Sequence, residues 1–287
     1  MISEVRVQLS LPSAIWRVSS GLIRVGLAVS RVAGDPLYAS STSEIAVIVY
    51  LVRRGRYRQW GLPVNGDVRP SVTSKAQPSP FAAKGDGWAF EVTDGRKSPF
   101  TGKPHCLYLP RRTKYAITAL SDVELAYNGS PVTRDTAKPT LISPKDTRHI
   151  ALGKDNWTRT SEIILDEKFD SEHFYIGEGM IPSGNWSGYP SHRHDVNDPP
   201  NELDMEETYF YLFDPPQGFG FQSVYKPDGS LNEAYRVQNY DTVAIAEGYH
   251  PLVGAPGYQM YYLWTMAGAQ GRGLISSMDP AHAWVKG

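Results

Sequence analysis

The 287-residue chain contains a single cysteine, Cys106, so no internal disulfide can brace it. Stability must come from a buried core, and one lone thiol fits a reducing compartment. Charge of one sign is also missing: 29 Lys and Arg stand against 30 Asp and Glu, a formal net charge of −1. Without a basic surplus there is no general attraction for a polyanion, which argues against nucleic acid as a partner and leaves small ligands. Long apolar runs are absent too. The most apolar early stretch, Ile45 to Val52, falls far short of the ~20 residues that cross a bilayer. The N-terminus carries Glu4 and Arg6 and no apolar signal-peptide core. The expectation is a cytoplasmic protein without a membrane partner. Heptads, low-complexity tracts and short-period repeats are likewise missing.

Turn formers and strand formers are abundant. The chain has 26 Gly and 22 Pro, 11% aromatic residues and 41% hydrophobic residues, a composition that favours short strands over long helices. In the first half, strands are predicted near Ile23–Ser30, Glu44–Arg53, Trp88–Thr93, Cys106–Leu109, Tyr115–Leu120 and Val123–Tyr127. The polar stretch Ser71–Lys84, with Pro78 and Pro80, reads as a loop. Pro131–Arg148 is broken by Pro131, Pro139 and Pro144 and carries no sustained apolar period. It marks a connector, taken as 131–152, between units at 1–130 and 153–287. In the second half, strands are predicted near Glu172–Gly177, His192–His194, Thr208–Phe213, Phe221–Tyr225, Ala234–Gln238, Thr242–Ala246 and Gln259–Met266. Lys226-Pro227-Asp228-Gly229 is a hairpin turn: Pro presets φ, and Gly tolerates a positive φ. The pattern predicts an all-β protein with two barrels or sandwiches.

Four residues could carry metal chemistry. His192 and His194 are two apart, so in a strand both imidazoles share a face while Arg193 points away. Alternation along Glu207-Thr208-Tyr209-Phe210-Tyr211-Leu212-Phe213 puts Glu207, Tyr209, Tyr211 and Phe213 on one face. His250 follows the apolar strand Thr242–Ala246. Three imidazoles and a carboxylate form a mixed nitrogen–oxygen donor set that suits Zn, Fe, Mn, Ni or Co, and donor type alone does not choose among them. A bare His-x-His pair is more often two surface histidines than a ligand pair, and it is Glu207 and His250, on or beside predicted strands, that strengthen the ligand reading. The remaining histidines, His105, His149, His173 and His282, are isolated, and Cys106 reads as a small core residue.

The run Gly184-Asn185-Trp186-Ser187-Gly188-Tyr189-Pro190-Ser191-His192-Arg193-His194-Asp195 resembles the metal motif of the 5-deoxy-glucuronate isomerase family. So do Glu206-Glu207-Thr208-Tyr209-Phe210-Tyr211, Pro215-Pro216-Gln217-Gly218-Phe219, Gln222-Ser223-Val224-Tyr225 and Gly248-Tyr249-His250-Pro251. Tyr261-Tyr262-Leu263-Trp264 and Met266-Ala267-Gly268 complete the series, in family order. Earlier in the chain, Gly102-Lys103-Pro104 and Gly153-Lys154-Asp155-Asn156-Trp157-Thr158-Arg159 also fit. Tyr240 stands where a turn Gly is usual in cupins, and Ala246 where Pro is usual.

The resemblance implies a bicupin, two double-stranded β-helix barrels in one chain. The barrel at 1–130 would lack the metal motif, and the barrel at 153–287 would carry it. The implied ligands are His192, His194, Glu207 and His250, around a divalent ion with Zn ahead of Mn, Fe, Ni or Co. The implied activity is aldose–ketose isomerisation of 5-deoxy-D-glucuronate to 2-deoxy-5-keto-D-gluconate in myo-inositol catabolism, through proton transfer from C2 to C1. The sequence does not single out the base. Tyr209, Tyr211 and Gln222 are expected as pocket-lining donors. Arg159 is the candidate for the substrate carboxylate, since a guanidinium offers two parallel donors. Glu202 and Asp204, in the insertion Asp195–Glu206, are expected as solvated loop acids near the mouth. Three alternatives stay open: an isomerase of 4-deoxy uronates, a cupin dioxygenase, and a sugar-acid-binding cupin without turnover. Association into a homo-oligomer is left open as well.

Overall fold

The computed structural model describes residues 26–32, 37–40, 43–50, 81–119, 123–268 and 270–285. Short strands dominate, as frequent turn residues and β-branched or aromatic runs dictate. Among the described residues the single helical element is a 3-10 turn at Asp155–Trp157, and no helix is long and apolar enough to cross a membrane.

The N-terminal unit pairs two antiparallel sheets. One comprises β1 (Gly26–Val32), β3 (Ser43–Tyr50), β6 (His105–Leu109), β8 (Val123–Pro131) and β9 (Thr140–Ile142), in the order β1-β8-β3-β6-β9. The other comprises β2 (Leu37–Ser40), β4 (Phe81–Gly85), β5 (Trp88–Val92) and β7 (Lys114–Ala119), in the order β2-β7-β4-β5. The C-terminal unit repeats this plan. Its six-stranded sheet holds β10 (Arg148–Leu152), β11 (Arg159–Leu165), β12 (Phe174–Ile181), β15 (Met205–Asp214), β18 (Thr242–Ile245) and β20 (Gln259–Gly268), in the order β10-β11-β12-β20-β15-β18. The facing sheet has β13 (Trp186–Ser187), β16 (Phe219–Tyr225), β17 (Asn232–Gln238) and β19 (Leu252–Gly254), in the order β13-β19-β16-β17. A separate two-stranded sheet joins β14 (His192–Arg193) to β21 (Ser277–Met278).

Among the described residues, three cores hold these layers. One fills the N-terminal unit with Phe81, Leu107, Leu109, Ile117 and Leu125. A second fills the C-terminal unit with Tyr209, Tyr211, Phe213, Val224, Leu252, Tyr262 and Trp264. The third lies between the units, where Cys106, Tyr108, Ala126 and Ile142 meet Ile164, Phe174, Phe210, Leu212, Tyr261 and Leu263. The six-stranded sheet is therefore apolar on both faces, and β15 reads as a near-continuous buried run.

Two segments differ from the sequence expectation. Phe81–Lys84, expected at the end of a loop, belongs to β4, where Phe81 and Ala83 point into the core. Two prolines just upstream and only five strand residues hide that alternation; residues 71–80 of the expected loop lie outside the described residues. The ends of three expected strands, 23–25, 51–53 and Leu120, also lie outside them. The stretch 131–152, expected as a connector, carries two short strands: β9 adds to β6 on one side and β10 to β11 on the other. At the turn before β18, Tyr240 adopts φ 70°, a left-handed conformation that a glycine would take without steric penalty.

A buried ion pair crosses between the units. Arg96 donates Nη1 to Glu178 Oε1 at 2.6 Å and Nη2 to Oε2 at 2.8 Å, and Tyr261 Oη donates to Oε2 at 2.9 Å. The fork geometry satisfies both carboxylate oxygens away from water. Thr265 Oγ1 donates to Asn128 Oδ1 at 2.9 Å in the same interface. Arg96→Ala should leave Glu178 charged and uncompensated, costing about 3–5 kcal/mol of stability. Urea unfolding measures this; a loss below about 1 kcal/mol, the value of a surface pair, would contradict it.

Candidate metal centre

Three imidazoles converge inside the C-terminal unit from two segments of the chain. His192 opens β14, whose register pairs it with Met278. His194 follows just beyond that strand, and His250 lies in the turn between β18 and β19. One ring nitrogen from each can be chosen so that all three lie within 4.8 Å of one another. Glu207, on β15, completes the group: its Oε2 is 3.0 Å from His194 Nε2 and 3.3 Å from His250 Nε2. Because β15 lies between β18 and β20, Glu207 is pinned from both sides, opposite Ile245 and Met266. Glu207, Tyr209, Tyr211 and Phe213 do share the inward face, while Phe210 and Leu212 face the inter-unit core.

The outer atoms of the imidazoles are already assigned. His194 Nδ1 is 2.7 Å from the Met205 carbonyl oxygen, and His250 Nδ1 is 2.8 Å from that of Gly248. A carbonyl can only accept, so each Nδ1 carries a proton and the Nε2 of the neutral ring keeps its lone pair for the cluster. His250 Nε2 is buried and has no hydrogen-bond partner. Such an atom needs a further electron acceptor, and a cation supplies one. The three histidines could hold a metal ion.

Electrostatics sharpen this picture. Burial pushes the Glu207 carboxyl up, but the neighbouring His194 and His250 imidazoles prevail and hold it at about 2. His192 is driven down to about 3, first by burial and then by His250 and His194. Burial opposes charge on His194 too, yet the Glu207 carboxylate raises it above the ordinary histidine value.

Around the cluster, the polar candidates separate into two groups. Tyr211 and Gln222 are fully buried and joined: Tyr211 Oη donates to Gln222 Oε1 at 2.5 Å. Gln222 Nε2 in turn donates to the His250 carbonyl oxygen at 2.6 Å, so both groups support the His250 turn. Tyr209 stands closer, its ring 6.1 Å from that of His250 and 5.4 Å from that of Tyr262. Burial and the Glu207 charge raise the Tyr209 hydroxyl well above the ordinary range, so it stays protonated.

Arg159, on β11, donates Nη1 to the Trp157 carbonyl oxygen at 3.1 Å, and its charge is felt at both His192 and Tyr262. Tyr262 Oη lies 2.7 Å from Ser187 Oγ. A Cβ at Gly179 would fall 2.1 Å from Tyr262 Cζ, so glycine on β12 makes room for that ring. Sequence reading gave Tyr262 and Ser187 no role, although alternation along β20 turns Tyr262 and Trp264 to the same side as Tyr209. Near them Tyr189 lies between Trp157, Trp186 and His282, with ring centroids 6.1–6.4 Å away.

The loop acids are not both free in solvent. Glu202 is buried, and its Oε1 accepts the Asp195 and Val196 amides at 2.9 Å each. It therefore organises the insertion that precedes β15. Asp204 is half-buried, and burial and then Asp195 raise its carboxyl.

Two β-barrel units back to back, with a histidine cluster inside one of them, define a bicupin. The KduI/IolB family model matches residues 81–285, and the chain belongs to that family. Over 200 residues it is 40% identical to the 5-deoxy-glucuronate isomerase of Bacillus subtilis (strain 168), a match covering 68% of this chain and 72% of that protein. Over 182 residues it is 38% identical to the 5-deoxy-glucuronate isomerase of Geobacillus thermodenitrificans (strain NG80-2), covering 63% of this chain and 66% of that relative's length. This second match thus falls just short of two thirds of the relative. Among solved structures, an IolB-like protein from Salmonella typhimurium LT2 superposes with a TM-score of 0.76 at 30% identity, over 91% of this chain and 89% of that one.

An NMR pH titration of the chelator-treated chain tests the electrostatics. His192 should titrate only near pH 3, and His194 should keep its proton above about pH 6.5, the unperturbed histidine value. An ordinary titration midpoint for His192 would contradict its place beside His194 and His250 in the cluster.

Proposed function

We propose that this chain is a metal-dependent aldose–ketose isomerase that converts 5-deoxy-D-glucuronate to 2-deoxy-5-keto-D-gluconate in the cytoplasm, as a step of myo-inositol catabolism. The observation that carries this reading is the cluster of His192, His194 and His250 with Glu207 Oε2 at 3.0 and 3.3 Å from two of them. It occurs in a chain 40% identical to a 5-deoxy-glucuronate isomerase. In this reading the four residues are the metal ligands and Zn is the ion, with Mn, Fe, Ni or Co as the other compatible choices. The units at 1–130 and 153–287 divide the labour, the second holding the chemistry and the first backing it.

A divalent ion in this site would act as a Lewis acid toward the carbonyl and neighbouring hydroxyl of an open-chain sugar. The protein's own residues do the rest. Nδ1 protons on His194 and His250, held by backbone carbonyls, keep both Nε2 atoms aimed at one point. Arg159 takes the substrate carboxylate by a charge-assisted pair, which places the far end of the sugar acid and so orients C1 and C2. The Tyr209 hydroxyl, protonated and beside Glu207, donates a hydrogen bond to the oxygens on which charge develops as the proton moves from C2 to C1. Tyr211 and Gln222 hold the His250 turn.

The test couples metal content of the purified chain with NMR of 5-deoxy-glucuronate incubated with it. Formation of the keto acid, lost with a chelator and restored by Zn, is expected. Bound metal without turnover would reject this substrate, and no bound metal would reject the metal reading. His192→Ala should abolish metal uptake and turnover while leaving a folded chain; unchanged metal content would remove it from the ligand set. Arg159→Ala should raise KM roughly tenfold to hundredfold, the value of a lost charged hydrogen bond. An unaltered KM would retire its carboxylate role.

A further inference from the structure

After β20 the chain does not leave the C-terminal unit but runs back across it. Residues 270–285 are tied at both ends of this return. At the start, the Arg272 guanidinium donates to Ser171 Oγ at 3.0 Å and to the carbonyl oxygens of Phe174 at 3.0 Å and Phe169 at 2.6 Å. Midway, the Leu203 amide donates to the Ile275 carbonyl oxygen at 3.1 Å, which joins the return to the loop before Glu207. At the far end, β21 lies antiparallel to β14, with Met278 opposite His192 and Ser277 opposite Arg193. The Asp279 amide then donates to the Ser191 carbonyl oxygen at 2.8 Å.

Asp279 is buried, 3% exposed, and its carboxylate is fully engaged. Oδ2 accepts the Tyr225 hydroxyl at 2.7 Å, and Oδ1 accepts the Ala281 amide at 2.9 Å. Tyr225 belongs to β16, in the sheet that faces the six-stranded one. Asp279 thus clamps the return onto β16 at the point where its backbone holds Ser191. The members of the histidine cluster differ in how they are supported. Glu207 sits between two long strands, His194 bonds to Met205, and His250 is gripped by Gln222 and Gly248. His192 stands on a two-residue strand in a two-stranded sheet whose other member is β21. Its backbone register is therefore set by the C-terminal segment, through residues some 85 positions later in the chain.

We propose that residues 270–285 form a strap that positions His192 for a divalent cation, with Asp279 as the positioning residue. The inference rests on the metal reading given above. Asp279 makes no contact with the ion in this scheme; it fixes Ser191 and β21, and these fix the imidazole. Losing an outer support of a metal ligand weakens metal affinity about 10–100-fold.

The test uses the full chain with two readouts. In the metal-free protein, hydrogen exchange of the amides in residues 189–194 reports the strap directly. In the second, Zn affinity is measured by competition with a chromophoric chelator. Asp279→Ala should speed exchange in that segment and weaken Zn affinity about 10–100-fold. Asp279→Asn, which keeps one acceptor oxygen, should fall between Asp279→Ala and the unaltered chain in both readouts. Unchanged exchange would overturn the strap, and faster exchange with unchanged Zn affinity would overturn the positioning role. If Asp279→Ala fails to fold, Tyr225→Phe removes one bond to Asp279 and keeps the ring; a few-fold loss of Zn affinity is then expected, and none would overturn the proposal. An unaltered chain that takes up no Zn would reject the metal reading, and the exchange measurement would still decide the strap by itself.

Discussion

The site depends on one buried charge. Glu207 is 4% exposed, and a carboxylate removed from water is costly unless hydrogen-bonded partners replace its hydration. His194 supplies such a partner at 3.0 Å and the His250 ring approaches to 3.3 Å, so both imidazoles converge on the carboxylate. The strand that carries Glu207 cannot slide to relieve this demand. A shift of one residue along β15 would bring Thr208 and Phe210 into the barrel and turn Glu207 and Tyr209 toward the inter-unit core. That core, built from Phe210 and Leu212 against Cys106, Tyr108 and Ala126, closes the second face. The chemistry on one side of β15 is thus held in register by apolar packing on the other.

This gives the N-terminal unit a physical task although the histidine cluster lies entirely in the C-terminal one. Its sheet covers the back of the six-stranded sheet, which would otherwise expose a wide apolar face to water. The Arg96–Glu178 fork crosses the same interface and satisfies a carboxylate of β12 that is buried there. Buried ion pairs contribute more to geometry than to net stability, because desolvation offsets most of the attraction. Here the geometry is the alignment of two sheets that share one core.

Around the cluster, support comes in layers. Backbone carbonyls of Met205 and Gly248 set the tautomers, and Gln222 holds the turn that delivers His250. Each of these groups is buried and hydrogen-bonded, so the imidazoles have little freedom to turn. Arg159, on β11, stands beside the cluster with Tyr262 of β20 near it, and its guanidinium is the positive charge that a sugar acid requires in the proposed reaction. The insertion before β15 is organised by Glu202, whose carboxylate caps two amides of its own loop. A residue expected to be solvated is therefore a structural acid, because its neighbours along the chain offered unpaired donors.

Much of the site was legible without coordinates. Period-two alternation from Glu207 to Phe213 placed the carboxylate and tyrosines on one face, since side-chain direction in a strand depends only on parity. His192 and His194 could be paired for the same reason. The Lys226–Gly229 turn was equally plain: the Gly229 amide bonds the Lys226 carbonyl at 3.0 Å, and Gly229 has φ 76°. What tertiary structure alone decided were contacts between residues far apart in sequence and ordinary in type. Arg96 finds Glu178 across 82 positions, and Tyr262 meets Ser187 across 75. The pairing of β14 with β21 was equally invisible, because two-residue strands have no period to read. Local rules set which way each side chain points along its own strand; which strands become neighbours depends on burying three apolar cores at once, and that is a property of the whole chain.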